Sequence, residues 1–153
     1  MTQTSETFIF FKPDAIERGL VETLLSIIQE AGFTVLKQAT IAVDEATIIE
    51  HYQEVIERIG GDFANRISEA YANQSIVAVL LSKDGPDAAS AMRTLIGATD
   101  PAKADPQSLR GRFGIDSMEK SNQEGRMLNN LIHASEFPED VTRESALWFK
   151  DSR

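Results

Sequence analysis

An α+β fold of the ferredoxin-like βαββαβ type, a four-stranded antiparallel sheet covered by helices, which are expected on one face, is predicted by three features of this sequence. Runs at 7–12, 33–43, 75–82 and 131–135 have the apolar or alternating character of strands. Stretches with helical spacing separate them in the order β-α-β-α-α-β-α-loop-β-α, which collapses to that pattern with added helices. No repeat, low-complexity tract or linker-like stretch interrupts the 153 residues, so a single domain over 1–153 is expected.

The first run, TFIFFK (7–12), is β-branched and aromatic and is ended by Pro13. From Asp14 to Ala31, the residues Ile16, Leu20, Leu24, Ile27, Ile28 and Ala31 recur at helical spacing, and Gly32 follows where a helix end favours a left-handed residue. In FTVLKQATIAV (33–43), Phe33, Val35, Ala39, Ile41 and Val43 are assigned to one face and Thr34, Gln38 and Thr40 to the other, with Leu36 and Lys37 interrupting the pattern. Asp44 is placed as the N-cap of a helical hairpin running to about Ala72, broken at Gly60-Gly61.

SIVAVLLS (75–82) is apolar on both faces, as an interior strand is. Pro86 suits the first turn of the next helix, which ends near Gly97. Residues 97–115 carry two prolines and three glycines without a sustained period, and long loops of that kind tend to be functional. DSMEKSNQEGRMLNN (116–130) includes a short polar helix, LIHAS (131–135) a brief strand, and PEDVTRESALWF (138–149) a closing helix with Pro138 in its first turn.

Composition narrows the chemistry. A 42% hydrophobic, 25% charged chain belongs to the soluble class, and no apolar stretch approaches the length of a membrane span. The start, MTQTSETFIFF, lacks the basic and apolar regions of a secretory signal, and cysteine is absent, so the cytoplasm is the expected compartment. Zero cysteines exclude thiol nucleophiles, zinc–thiolate sites and iron–sulfur clusters, and two histidines leave little room for a His-rich metal site. A net charge of -9 argues against nucleic acid as a partner, while leaving room for a local basic pocket.

The usual nucleotide signatures, G-x-x-x-x-G-K-[ST], G-x-G-x-x-G, H-R-D and D-F-G, are missing. Parts that could handle phosphate are present: Lys12 after the first strand, Arg93 on a helix, Thr99 and Arg110 in the long loop, and Asn130 close to His133. Taken singly, each has an ordinary reading. Lysines and arginines are mostly surface charges, an aromatic on an amphipathic helix is usually core, and a Thr before Asp-Pro is often a turn residue. His51 is assigned to local packing or capping, with no catalytic role.

The segments FIFFKPDAIERGLV, HYQ, LIGATDPAKADPQSLRGRFG, NNLIHAS and ESALWF run in the order, and mostly at the spacing, of the nucleoside diphosphate kinases. From residue 7 to residue 149 the chain resembles that family, in a longer form with an insertion before the histidine. The resemblance implies a ping-pong phosphotransferase in which His133 takes the terminal phosphoryl group of a nucleoside triphosphate and passes it to another nucleoside diphosphate. It implies phosphate or ribose contacts from Lys12, Tyr52, Arg93, Thr99, Arg110 and Asn130, and a base-stacking role for Phe63. Ser135 and Glu144 match the pair that orients the histidine, Mg²⁺ bridges the nucleotide phosphates, and a homo-oligomer built from dimers is implied as well.

Elementary chemistry agrees with such a set. A neutral imidazole nitrogen is a good nucleophile near neutral pH, and a carboxylate on the other ring nitrogen fixes the tautomer and stabilises the cation formed on attack. Glu144 can serve if its helix packs beside the short strand. Phosphoryl transfer needs in-line positioning and cancellation of charge on the equatorial oxygens, each charge-assisted contact contributing on the order of 2–4 kcal/mol in the transition state. No base-reading residue is evident, so low base selectivity is expected.

Two departures stand out. The family's RGDF reads RGRF at 110–113, and an insertion covers roughly Asp116 to Met127, which is expected to add a helix at the rim of the site; Ile115 is therefore left out of the base-facing set. The alternative from a different class is a catalytically inactive nucleotide-binding regulator or oligomeric scaffold of the same fold. His133, Lys12, Arg93, Arg110 and Asn130 are all present, which favours the enzyme.

Overall fold

Strand β1 (Thr4–Phe11) lies inside the sheet because it is apolar on both faces, with Phe8 to Phe11 all fully buried. The computed structural model describes residues 3–149; residues 1, 2 and 150–153, the ends of the expected 1–153 domain, lie outside it. Strand β3 (Ser75–Asp84) flanks β1 on one side and the three-residue β4 (Ile132–Ala134) on the other. Strand β2 (Phe33–Ala42) completes the order β2-β3-β1-β4, and all pairs are antiparallel.

Helices cover both faces of this sheet. Ile9 and Phe11 point to a core shared with α2 (Val21–Glu30) and α6 (Ala88–Ile96) through Leu24, Ile28, Met92 and Ile96. Phe8 and Phe10 point the other way, to Ile48, Ile67, Tyr71, Val141 and Trp148. An expectation of helices on one face alone is thus corrected. A strand as uniformly apolar as β1 must be covered on both sides, since each large side chain left in water would forgo about 2–3 kcal/mol.

The expected helix over Asp14 to Ala31 is two helices, α1 (Pro13–Glu17) and α2. Gly19, at φ 67°, turns the chain between them. In β2 the interruption at Leu36 and Lys37 is a β-bulge: Val35 pairs with Leu81 and Lys37 with Leu80, leaving Leu36 unpaired. One extra residue reverses the alternation. Phe33 and Val35 therefore pack on the α2 side while Ala39 and Ile41 pack on the opposite side, contrary to the single face assigned to them.

The segment after β2 forms three helices, α3 (Glu45–His51), α4 (Gln53–Ile59) and α5 (Phe63–Tyr71), with Asp44 accepting from Thr47 N as the N-cap of α3. Pro86 lies outside α6, whose N-cap is Asp87. The stretch 97–115 is more ordered than its lack of period suggests. A 3-10 turn (Pro101–Lys103) and α7 (Leu109–Phe113), capped by Ser108, occupy it. The insertion forms α8 (Met118–Glu124), capped by Ser117, and α9 (Pro138–Trp148) closes with Pro138 at its start.

Candidate active site

A cleft of about 750 Å³ opens where the C-terminal end of β1 meets β4, between the α3–α5 segment on one side and α8 and α9 on others. Lys12, Tyr52, Phe63, Arg93, Thr99, Arg110, Asn130, His133 and Glu144 all line it. Of the residues selected from sequence only Ser135 is off the wall, fully buried behind it.

Alternation in β4 aims the histidine. Ile132 and Ala134 face the α2/α6 core, so His133 between them faces the other way, paired across the strands with Phe10 and stacked on its ring at 4.9 Å. Its Nε2 lies 2.8 Å from Glu144 Oε1, the same oxygen that accepts from Ser135 Oγ at 2.7 Å. In the neutral imidazole Nε2 then donates, and Nδ1 keeps the lone pair. Burial by itself raises the Glu144 carboxyl, but the charge and hydrogen bond of His133, the Ser135 hydroxyl and Arg143 outweigh it and hold Glu144 below its ordinary value.

The backbone that delivers the histidine is strained and held at several points. Leu131 sits at φ 74°, an uncommon conformation for a branched residue and worth about 1–3 kcal/mol of strain. Asp14 Oδ2 accepts from Leu131 N at 3.2 Å, and Lys12 N donates to Leu131 O at 2.8 Å. Arg110 donates to three carbonyls, those of Gly97, Asn130 and Ile132, and Arg93 donates to Ala134 O. These arginines anchor the chain on both sides of His133 as well as adding positive charge to the cleft.

Lys12 Nζ donates to Leu128 O and to Asn130 Oδ1, both at 2.8 Å, which leaves one N–H for the cleft. Burial lowers its pKa to about 8; the charge of Arg110 adds to the lowering, and Asp14 and Asp116 oppose it. Asn130 also donates from Nδ2 to Thr99 O, so its amide bridges Lys12 and the Thr99 loop. It precedes β4 rather than lying on it. Burial, followed by the charge of Arg93, brings Arg110 down to about 10.

Farther out, Tyr52 is buried with its hydroxyl 3.3 Å from that of Tyr71, and Phe63 is half-buried at the start of α5. Helix α8 supplies the facing wall through Met118, Ser121 and Asn122. Arg66 on α5 reaches across to Asn122 Oδ1 at 2.9 Å, and Asp116 grips Arg126 in two bonds of 2.7 and 2.9 Å. Ile115 is 76% exposed and off the cleft wall.

Sequence reasoning passed over Asp14, Arg66, Arg143, His51 and Trp148. His51, assigned to local packing, lies on the cleft wall beside His133, with ring centroids 4.3 Å apart. The adjacency of Asp14 to Lys12-Pro13 was a usable signal for one of them. Arg143 pairs with its near neighbours Asp140 and Glu144, and Arg66 with Asp62. The contacts of Arg66 with Asn122, His51 with His133 and Trp148 with His51, by contrast, span too much sequence for any local pattern to show.

A histidine held by a carboxylate, its free nitrogen in a cleft rich in Lys and Arg, defines the class of phosphotransferases that work through a nucleophilic histidine. Comparison with known proteins narrows this further. The sequence profile described as nucleoside diphosphate kinase matches residues 5–153. A nucleoside diphosphate kinase of Mycobacteroides abscessus is 37% identical over 147 residues, covering 95% of this chain and 97% of that protein. One from Streptococcus pneumoniae is 35% identical over 145 residues, 94% of this chain and 98% of the other.

Among solved structures, the Borrelia burgdorferi nucleoside-diphosphate kinase with bound vanadate and ADP, a transition-state mimic, superposes with a TM-score of 0.89 at 30% identity, over 97% of this chain and 89% of that one. An NDP kinase from Pyrobaculum aerophilum gives 0.84 at 27% identity, over 98% of both chains. The chain belongs to the nucleoside diphosphate kinase family. Its activity is transfer of the γ-phosphoryl group of a nucleoside triphosphate to a nucleoside diphosphate.

Proposed function

We propose that His133 carries the phosphoryl group between the two nucleotides, and that the whole chain, 1–153, forms one kinase domain around it. The observation behind this is the Ser135–Glu144–His133 arrangement, which leaves Nδ1 as the nucleophile in a cleft lined by cations. In the first half-reaction a bond forms from Nδ1 to the γ-phosphorus and the bridging P–O bond breaks. Its electron pair leaves on the β-phosphate of the departing diphosphate. The Nε2 proton stays toward Glu144, which balances the imidazolium formed. The second half-reaction reverses these steps on a different diphosphate.

Lys12 and Arg110 have N–H groups left over from their protein contacts to meet phosphate oxygens, and Arg93 and Thr99 add a cation and a hydroxyl from the same wall. Tyr52 and Asn130 line the sugar-phosphate region in this reading. The base stacks on Phe63, with Met118 of α8 opposite it. Stacking reads no base edge, which supports broad use of nucleotides.

Mg²⁺ suits the nucleotide better than any protein cage here. The one group of side chains among the described residues close enough to share an ion, His51, His133 and Glu144, offers two nitrogens, whereas Mg²⁺ prefers oxygen. The ion would ride on the phosphates and water, with carboxylates of the cleft wall such as Glu136 and Asp140 to hold it. Bound there, it would neutralise charge on the β- and γ-oxygens.

A homo-oligomer built from dimers fits β2, an edge strand ten residues long whose outer side has no neighbour among the described strands. The absence of cysteine supports a cytoplasmic setting, and no helix among the described residues is long and apolar enough to cross a membrane.

The test is to incubate the protein with γ-labelled ATP and Mg²⁺ and look for acid-labile, base-stable phosphate that added GDP discharges as GTP. His133→Gln is expected to bind ADP and take up no label. Label on another residue would overturn His133 as the carrier, and binding without any label in the unaltered protein would favour the inactive-regulator reading.

A further inference from the structure

His51 is a buried titratable group on the cleft wall that the reaction above leaves without a task. It is 4% exposed, and Trp148 Nε1 donates to its Nδ1 at 3.0 Å. An indole nitrogen only donates, so Nδ1 must hold its lone pair, and the neutral ring then carries its proton on Nε2. Burial, foremost, and the charge of His133 push the His51 pKa well below its ordinary value, so the ring stays neutral near pH 7. The result is a buried N–H donor of fixed tautomer.

That donor has no hydrogen-bond partner. Buried N–H groups are rarely left in this state, because desolvation without a partner is unfavourable. The ring stands edge to face with His133 at 79°, and ligand-type atoms of His51, His133 and Glu144 lie within 4.8 Å of one another. An acceptor arriving at His133 therefore arrives beside the ring that carries this unpartnered N–H.

Two ligands could fill such a place, a phosphoryl oxygen or a transition-metal dication. A dication needs a lone pair on His51 Nε2, which requires the ring to move its proton to Nδ1 and break the Trp148 bond. A phosphoryl oxygen needs neither change. We propose that His51 is a further catalytic residue: its Nε2–H donates to an oxygen of the phosphoryl group as that group passes onto His133, and Trp148 is the positioning residue that keeps the donor tautomer. No bond to His51 forms or breaks, and its proton stays on Nε2 throughout. The proposal rests on His133 being the phosphoryl carrier.

The test combines nitrogen-resolved NMR of histidine-labelled protein with single-turnover labelling from γ-labelled ATP. In the free protein the His51 resonances should show the Nε2–H tautomer, and phosphorylation should shift that proton downfield and slow its exchange. His51→Phe keeps a ring and loses the donor, and should slow phosphorylation about 10–100-fold with ADP affinity unchanged. His51→Gln, which restores an N–H, should recover part of the loss. Trp148→Phe, which frees the tautomer, should fall between.

An Nδ1–H tautomer in the free protein, a His51 proton indifferent to phosphorylation, or wild-type labelling by His51→Phe would each overturn the proposal. So would stoichiometric Zn²⁺ binding that shifts His51 to the Nδ1–H form, which would mark a metal site instead. Failure of the unaltered protein to take label on His133 would overturn the underlying reading, and shows itself before any variant is made.

Discussion

Lys12 shows how a single burial sets a working range. Its ammonium is charged below about 8 and neutral above, because burial disfavours the charged form. Catalytic efficiency with nucleotide should therefore decline as pH rises through about 8, a limb that Lys12→Arg should move upward; a pH profile of kcat/KM checks this. The stability slope has the same sign as in the usual carboxylate case, because here too the folded pKa lies below the unfolded one. A base with a lowered folded pKa binds fewer protons than the unfolded chain between about 8 and 10.5, so the burial penalty is present below 8 and is relieved as pH rises through that window. Glu144 gives the same slope in an acid window and from a favourable charge: held below its ordinary value, it contributes stability above the usual carboxylate range and loses it as pH falls through its folded pKa. Glu144→Gln keeps a group for Ser135 to bond but removes the charge that balances an imidazolium. Single-turnover labelling should slow about 10–100-fold with ADP binding retained.

At the scale of elements, α7 and α8 frame the cleft by different means. Helix α7 is seated tightly: a Cβ on Gly111 would run into the carbonyl oxygen of Asp105, a backbone group with little freedom to give. Gly111→Ala should lower the thermal midpoint, at a cost of about 1–3 kcal/mol, and should weaken turnover because Arg110 is carried on the same turn; unfolding curves and rates measured on one preparation test both. Helix α8 is tied on by charge, with Arg126 held by Asp116 and Asn122 held by Arg66. Hydrogen bonding from Arg126, foremost, brings the Asp116 carboxyl down to about 2. A helix was expected here from the polar run 116–130 and the insertion. That it faces α5 across the cleft was not legible, because Arg66 and Asn122 lie 56 residues apart.

Over the whole molecule, one ladder register connects core and cleft. Phe10 packs in the core on the α3/α9 side and pairs with His133, so the layer that stabilises the sheet also fixes the height of the nucleophile. The same sheet leaves β2 as an edge, with Leu36 bulged out and half exposed. If dimers form along that edge, Leu36→Asp should shift sedimentation toward the monomer while phosphohistidine formation persists. Leu36 is not part of the cleft wall, so the two readouts separate.

Sequence by itself determined the four strands and the helical segments between them, in order, since hydrophobic periodicity and the prolines and glycines between runs are local properties. It also singled out ten side chains, nine of which the fold brings to one cleft wall. Tertiary structure decided the rest. The bulge at Leu36 reversed a face that alternation had assigned wrongly, because parity depends on pairing with β3. Arg110 proved to be a clamp on three carbonyls, and Asp14 a hold on the strained Leu131. His51 acquired its tautomer from Trp148, 97 residues away. Proton positions and backbone clamps depend on which atoms meet, and that is set by packing between distant segments rather than by the spacing of residue types along the chain.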